Sequence, residues 1–337
     1  MPRLRTADPS SPGWTLSRKG AHLAVIDERG APLTAESATA RVEALSIPPA
    51  WTAVWIAPQA NAHIQAMGTD AAGRRQYLYH EQWQRARSRL KYDRALDLAA
   101  SLPAARGVVT RDLRGPRHTR ARALAVAFRL LDSAYLRVGS ERYAQRHGSR
   151  GLTTLLGSDA RVSGDTVLLE FTGKGAVDWS SQTTDPDLAA AVRALKRRGP
   201  DAVLLAWKDD AGWHRLLPEE VNEYVRERTK GNFSAKDFRT LHGTIIAAQA
   251  LAAQALASQG PAPRDSGSAA TARKKAIVEA TRVTAEALGN TPTVARANYI
   301  DPRVFDRFRD GRLLTTTGLA PESAIRLLLL GEDAPAA

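Results

Sequence analysis

The hydrophobic pattern changes period partway along the chain. Up to about Tyr79, short apolar runs are bounded by turn residues, as in strands. His22-Leu-Ala-Val-Ile-Asp27 runs into the turn Glu28-Arg-Gly30. Trp51-Thr-Ala-Val-Trp-Ile-Ala57 follows Ile47-Pro-Pro49, and Gln76-Tyr-Leu-Tyr-His80 is a third short run. From Glu81 the spacing becomes helical. Leu124, Ala127, Phe128, Leu131 and Tyr135 predict an amphipathic helix over 118–136. Arg161 to Phe171 reads as a β-hairpin with Ser-Gly-Asp at its tip. Thr172-Gly-Lys-Gly175 is a second tight turn before Val177-Asp-Trp179, and 206–214 is another short hairpin.

A long helix is expected over 236–258, then a linker, Gly260-Pro-Ala-Pro-Arg-Asp-Ser-Gly-Ser268. The next helix, from about Thr271 to Leu288, ends at Gly289. Thr291 caps another, with Pro292 in its first turn, which puts Tyr299 on or just after a short helix. Residues 1–13 hold three prolines and little apolar content and read as disordered. The fold class is α+β. Residues 14–92 form a small sheet-containing domain, and 93–337 a larger, mostly helical domain with short β-hairpins.

Charge narrows the choice of partner. The 337 residues carry a formal net charge of +13, so a polyanion is expected. The window 72–150 holds 18 Lys and Arg against 6 Asp and Glu, a net of +12 (18 − 6). Cysteine is absent, which excludes thiol catalysis, Cys-based zinc sites and disulfides, and fits a reducing cytoplasm. No apolar run has the length of a membrane span, and no strongly amphipathic basic helix points to a membrane surface. Nucleic acid is therefore the favoured partner.

The chemistry gathers around four residues. Tyr299 is a candidate nucleophile whose phenol, with an ordinary pKa of about 10, needs neighbouring cations to attack. Arg137, in Tyr135-Leu-Arg-Val-Gly139, and Arg239, in Lys236-Asp-Phe-Arg-Thr240, offer planar forks suited to the non-bridging oxygens of a phosphodiester. Lys174, in a glycine-flanked turn, offers an ammonium that can protonate a leaving alkoxide. Asn290 offers a neutral donor. Each has a plain alternative: a solvated helix-end arginine, an exposed turn lysine, a core tyrosine, a helix-terminating Gly-Asn pair. Thr172-Gly-Lys-Gly175 is not a P-loop, because no glycine stands five before Gly173 and Gly175 replaces the Ser or Thr. His-Glu-x-x-His, Gly-x-Ser-x-Gly and Gly-x-Gly-x-x-Gly motifs are also missing.

Together, Gly73-Arg-Arg-Gln-Tyr-Leu-Tyr79, Tyr135-Leu-Arg-Val-Gly139, Phe171-Thr-Gly-Lys-Gly175, Lys236-Asp-Phe-Arg-Thr240 and the Tyr299 segment resemble the small bacterial and poxvirus-like type IB DNA topoisomerases. The resemblance spans roughly 47–299. It implies a C-shaped clamp on double-stranded DNA, with a boundary near 89–101 and a packing helix over 320–330. It implies a monomer that relaxes supercoils without ATP, metal or other cofactor, in the cytoplasm and on the nucleoid. Arg137, Lys174 and Arg239 would assist transesterification by Tyr299, with Asn290 where such enzymes usually carry histidine. Arg74, Gln76, Tyr77, Arg87, Tyr143 and Lys236 would contact DNA. Two alternatives remain at this stage. One is a tyrosine recombinase, although Lys236 stands where such enzymes usually place histidine. The other is a non-catalytic architectural DNA-binding protein.

Overall fold

The computed structural model describes residues 3–19, 22–257 and 267–331. By its internal packing the chain divides into two compact units, Met1–Leu90 and Lys91–Ala337. The division falls within one continuous helix.

The first unit is a five-stranded antiparallel sheet with one helix. In chain order these are β1 (Trp14–Lys19), β2 (His22–Ile26), α1 (Glu36–Ala44), β3 (Thr52–Ile56), β4 (Ile64–Thr69) and β5 (Arg75–Tyr79). The spatial order is β2-β1-β3-β4-β5. Alternation along β3 explains the layering, because successive side chains face opposite ways. Ile56 packs with Val25, Val42 and Ala66, the side covered by α1. Trp55 packs with Ala57, Ala62 and Ile64 on the other side.

That second face corrects the expectation of a disordered N-terminus. From Arg3 the segment is laid over it. Trp55 Nε1 donates to Ser11 O at 2.9 Å, Ala7 N donates to His63 Nδ1 at 3.0 Å, and Arg5 pairs through its backbone with Asn61 and His63. Gly13 fits beneath the Trp55 indole, where a Cβ would lie 2.2 Å from Nε1. A sheet with two apolar faces needs a cover on each, and this proline-rich strip is one of them. Helix α1 and strand β4 were also not expected. In β4, Gly68 and Thr69 break the apolar run that marks the other strands.

The second unit begins within α2 (Glu81–Arg114) and continues with α3 (Arg120–Ala134) and α4 (Glu141–His147). A three-stranded sheet follows, β6 (Ala160–Ser163), β7 (Thr166–Thr172) and β8 (Asp178–Thr184), in that spatial order. Then come α5 (Pro186–Lys196), the hairpin β9 (Ala206–Asp209) and β10 (Gly212–Arg215), α6 (Pro218–Thr229), α7 (Ala235–Ala257), α8 (Gly267–Ala287), α9 (Pro292–Asn298), α10 (Pro302–Arg309) and α11 (Pro321–Leu330). The expected linker at 260–268 lies almost wholly outside the described residues.

Helix α3 departs from the expected amphipathic pattern: Ala123 to Phe128 are all buried. A helix apolar all round belongs in a core. Phe128 meets Phe238 of α7 edge to face at 5.2 Å. Packing α3 and α7 together places the chain just past α3 beside the first turns of α7, and this is where the chemistry-bearing residues meet. Among the described residues, no helix is long and apolar enough to cross a membrane.

Candidate active site

Four sequence-predicted residues come together: Arg137, Arg239, Asn290 and Tyr299. Each is placed by a local device. Helix α3 ends at Tyr135, a non-glycine residue with φ 55°. Left-handed backbone is unfavourable for such a residue by roughly 1–2 kcal/mol, so packing must hold it. The turn aims the Tyr135 carbonyl at α7 and carries Arg137 into the site. Arg137's own carbonyl is fixed by Leu152 N at 2.9 Å, and Gly139 and Gly151 touch backbone to backbone.

Helix α7 starts at a tight anchor. Asp237 accepts from Ser234 N and Oγ, each at 2.8 Å, and its other oxygen accepts two hydrogen bonds, from Arg94 Nε and Nη2. Two residues on, Arg239 is only 2% exposed. Its Nη1 donates to Tyr135 O at 2.5 Å and its Nη2 to Leu288 O at 2.7 Å, while its guanidinium carbon stands 4.8 Å from the Tyr299 ring centre.

Tyr299 is the C-terminal cap of α9. Thr291 begins that helix by accepting from Val294 N, with Pro292 in its first turn. The Tyr299 backbone N donates to Ala295 O at 2.9 Å, and Thr244 Oγ1 donates to Tyr299 O at 3.3 Å. Arg137 Nη2 donates to Gly289 O at 3.0 Å and to Asn290 Oδ1 at 2.5 Å.

The electrostatics are unusual. Arg137 bonds to the Gly289 carbonyl and the Asn290 amide oxygen, and Arg239 to the carbonyls of Tyr135 and Leu288 and to the Tyr299 side chain; among the described residues neither pairs with a carboxylate. Burial lowers the Arg137 pKa, opposed by Tyr299. Burial also pushes Arg239 down to about 10; Arg137 adds to this and Tyr299 opposes it. Both guanidiniums remain charged near neutrality. Buried charge without a counter-charge is costly, so the site is built to receive an anion. Donors stand ready for it: Arg239 Nε and Asn290 Nδ2 are buried with no hydrogen-bond partner.

Lys174 occupies the exposed turn between β7 and β8, with Gly175 at φ 77° beside it and the turn closed by Gly173 N to Val177 O at 2.8 Å. The base of its hairpin reaches the site: a Cβ on Gly289 would lie 2.8 Å from the Trp179 ring and 3.9 Å from Arg137 Nη1. Trp179 therefore seats the Lys174 hairpin on the glycine beside Asn290.

The expected DNA contacts divide between the two units. Arg74 and Gln76 both bond Asp70, whose carboxyl Arg74 holds well below its ordinary range. Tyr77 lies on the opposite face of β5, stacked with Tyr79 at 6.0 Å. Arg87 lies over Trp83 at 5.6 Å. Lys236 is exposed at the start of α7, and Tyr143 lies in α4, its side chain outside the described residues. The basic window 72–150 is also less free than its +12 implies. Arg106 pairs with Glu322, Arg129 with Asp185, and Arg150 with Asp159, acids outside the window that offset part of its excess.

Sequence reasoning missed Thr244 and Lys91. Lys91 Nζ donates to Asn298 O at 3.1 Å, next to Tyr299. Only their contacts mark them, since a threonine inside a helix and a lysine on a charged one carry no local signal.

This arrangement of uncompensated cations beside a tyrosine is suited to a phosphodiester. Residues 80–310 match the family model described as the catalytic core of eukaryotic DNA topoisomerase I, and residues 24–70 match that of the N-terminal domain of bacterial DNA topoisomerase IB. The chain belongs to the type IB DNA topoisomerase family. It is 28% identical over 264 residues to DNA topoisomerase 1B of Acanthamoeba polyphaga mimivirus, covering 77% of this chain and 76% of that protein.

Proposed function

We propose that this chain relaxes supercoiled double-stranded DNA by transient cleavage of one strand, with Tyr299 as nucleophile. Tyr299 Oη attacks a backbone phosphorus, the bond to the 5′ oxygen breaks, and the 3′ end stays linked to the tyrosine. The freed 5′-hydroxyl end rotates about the intact strand, then attacks the phosphotyrosine and restores the backbone. The linkage conserves the phosphodiester's energy, so ATP is not consumed. The observation that carries this reading is the pairing of the Arg239 guanidinium with the Tyr299 ring at 4.8 Å, beside a second uncompensated guanidinium.

Arg137 and Arg239 neutralise the non-bridging oxygens as negative charge builds on them. Asn290 adds a neutral donor through Nδ2. Lys174, on its hairpin, protonates the departing 5′ oxygen. With the charge met by side chains, no metal ion is required. Arg74, Gln76, Tyr77, Arg87, Tyr143 and Lys236 contact DNA, in phosphate contacts that position the duplex rather than read it. The protein acts as a monomer in the cytoplasm, on the nucleoid.

The test is relaxation of negatively supercoiled plasmid in EDTA without ATP, with Tyr299→Phe alongside. Relaxation by the wild type alone supports the reading. Relaxation by the variant moves the nucleophile elsewhere, and a folded, DNA-binding wild type that relaxes nothing overturns the activity.

A further inference from the structure

Helix α7 does two jobs on one face. Arg239 and Gly243 are four residues apart, stacked one turn above the other. Arg239 meets the Tyr299 ring, while Gly243 meets the Tyr299 backbone. A Cβ built on Gly243 would lie 2.7 Å from Tyr299 O, 3.1 Å from Tyr299 Cβ and 3.0 Å from Leu288 Cδ1. Gly243 is buried within a long helix, so backbone freedom is not the reason for a glycine there. Glycine in a helix interior costs about 1 kcal/mol against alanine, and here it opens the space in which Tyr299 lies against α7.

Thr244 completes the seat. Its Oγ1 accepts from Asp301 N at 3.1 Å and shares its single proton between the nearer Thr240 O and Tyr299 O at 3.3 Å, so one hydroxyl touches the chain at the tyrosine and two residues beyond. The same oxygen lies 2.8 Å from Thr240 O, which fixes its rotamer against the helix. Asp301 is buried and bonded to Arg303, so the far side of the seat is firm as well.

We propose that Gly243 and Thr244 are positioning residues that set the register of Tyr299 against Arg239, with α7 as the common ruler. The proposal rests on Tyr299 being the nucleophile. An added methyl at Gly243 displaces the tyrosine from the face that presents Arg239. A shift of about 1 Å in a reacting group can cost on the order of 100-fold in rate.

The experiment is single-turnover formation of the denaturant-stable protein–DNA adduct, with duplex affinity and thermal midpoint measured on the same samples. The variants are Gly243→Ala, Thr244→Val, Thr244→Ser and Tyr299→Phe. Gly243→Ala is expected to form adduct about 100-fold more slowly with affinity held within about threefold. Thr244→Val, of the same shape but without the hydroxyl, is expected to slow roughly tenfold or more. Thr244→Ser, which keeps the hydroxyl, returns to within about threefold of wild type, where a purely packing role would reverse the order, sparing the isosteric Thr244→Val and slowing Thr244→Ser. Should Gly243→Ala not fold, the Val and Ser pair decides alone. Wild-type rates in Gly243→Ala, or a Thr244→Val variant no slower than Thr244→Ser, overturn the proposal. Adduct formation by Tyr299→Phe would instead overturn the assignment of the nucleophile.

Discussion

The Arg239 guanidinium and the Tyr299 ring, far apart in sequence, stand 4.8 Å apart, the arginine held through its side chain and the tyrosine through its backbone. Arg239 spends two nitrogens on the carbonyls of Tyr135 and Leu288 and keeps Nε unpartnered. A lysine cannot reproduce this, because a compact ammonium lacks the planar fork that spans two carbonyls and still presents a donor. Arg239→Lys is expected to lower single-turnover adduct formation by about 100- to 1,000-fold with duplex affinity little changed. A loss smaller than about tenfold would mean that charge alone suffices and the fork is dispensable.

The parts of this site that depend on short-range signals were legible in the sequence. Thr291-Pro292 announces a helix start, which fixes the end of α9 and so the place of Tyr299. Glycines at 173 and 175 announce the Lys174 turn, and the long apolar register of α7 announces the helix that bears Arg239. What was hidden depends on partners distant in sequence. Nothing local says that Tyr135 adopts left-handed backbone, since packing imposes it. Gly243 looks like a weak point in a helix until Tyr299 is laid against it. Residues 3–13 look too polar to fold until Trp55 is seen to need a cover. The net charge of the basic window overstates what is free for a partner, because acids that pair with it, such as Glu322 and Asp185, lie far along the chain.

Lys174 is assigned to the leaving group, and this separates it from the arginines. Replacing the bridging 5′ oxygen at the cleavage site by sulfur gives a leaving group that departs without protonation. Lys174→Ala is expected to lose about 100- to 10,000-fold on ordinary DNA and to recover most of that on the sulfur-substituted strand. Arg137→Ala, which removes charge from the non-bridging oxygens, should recover little. Equal behaviour of the two variants on both substrates would remove the general-acid role from Lys174.

Asn290 faces Arg137 through its oxygen and keeps Nδ2 unpartnered. Asn290→Asp therefore has opposite effects on stability and function. The new carboxylate meets Arg137 directly and relieves two buried cations of their missing counter-charge, so the thermal midpoint is expected to rise. It also places negative charge where the phosphate must sit and removes the donor. Adduct formation is expected to fall further than in Asn290→Ala. Beside two guanidiniums the new carboxyl is held below its ordinary range, so lowering the pH to about 5 should not restore activity. A faster Asp than Ala variant, or a lowered midpoint, would contradict the anion-site reading.

Lys91 gives a pH-dependent test of the ground beneath Tyr299. Its ammonium donates to the carbonyl of Asn298, and burial brings its pKa down to about 8, with Lys236 adding to the effect and Asp301 opposing it. The unfolded chain keeps the ordinary lysine value near 10.5. Below pH 8 both states hold the proton, and the folded state bears the full cost of a partly buried charge. Between about 8 and 10.5 the unfolded state binds more protons than the folded one, so this group's contribution to stability rises with pH. Lys91→Met carries no proton in either state. Its urea midpoint, relative to wild type, should therefore be highest near pH 7 and fall steadily between pH 8 and 10 as the wild type sheds its cost. The lost bond to Asn298 shifts the whole difference by a constant and leaves that slope intact. A difference that stays flat across the window would show that Lys91 is solvated in the folded protein and exerts no electrostatic pressure on the nucleophile's segment.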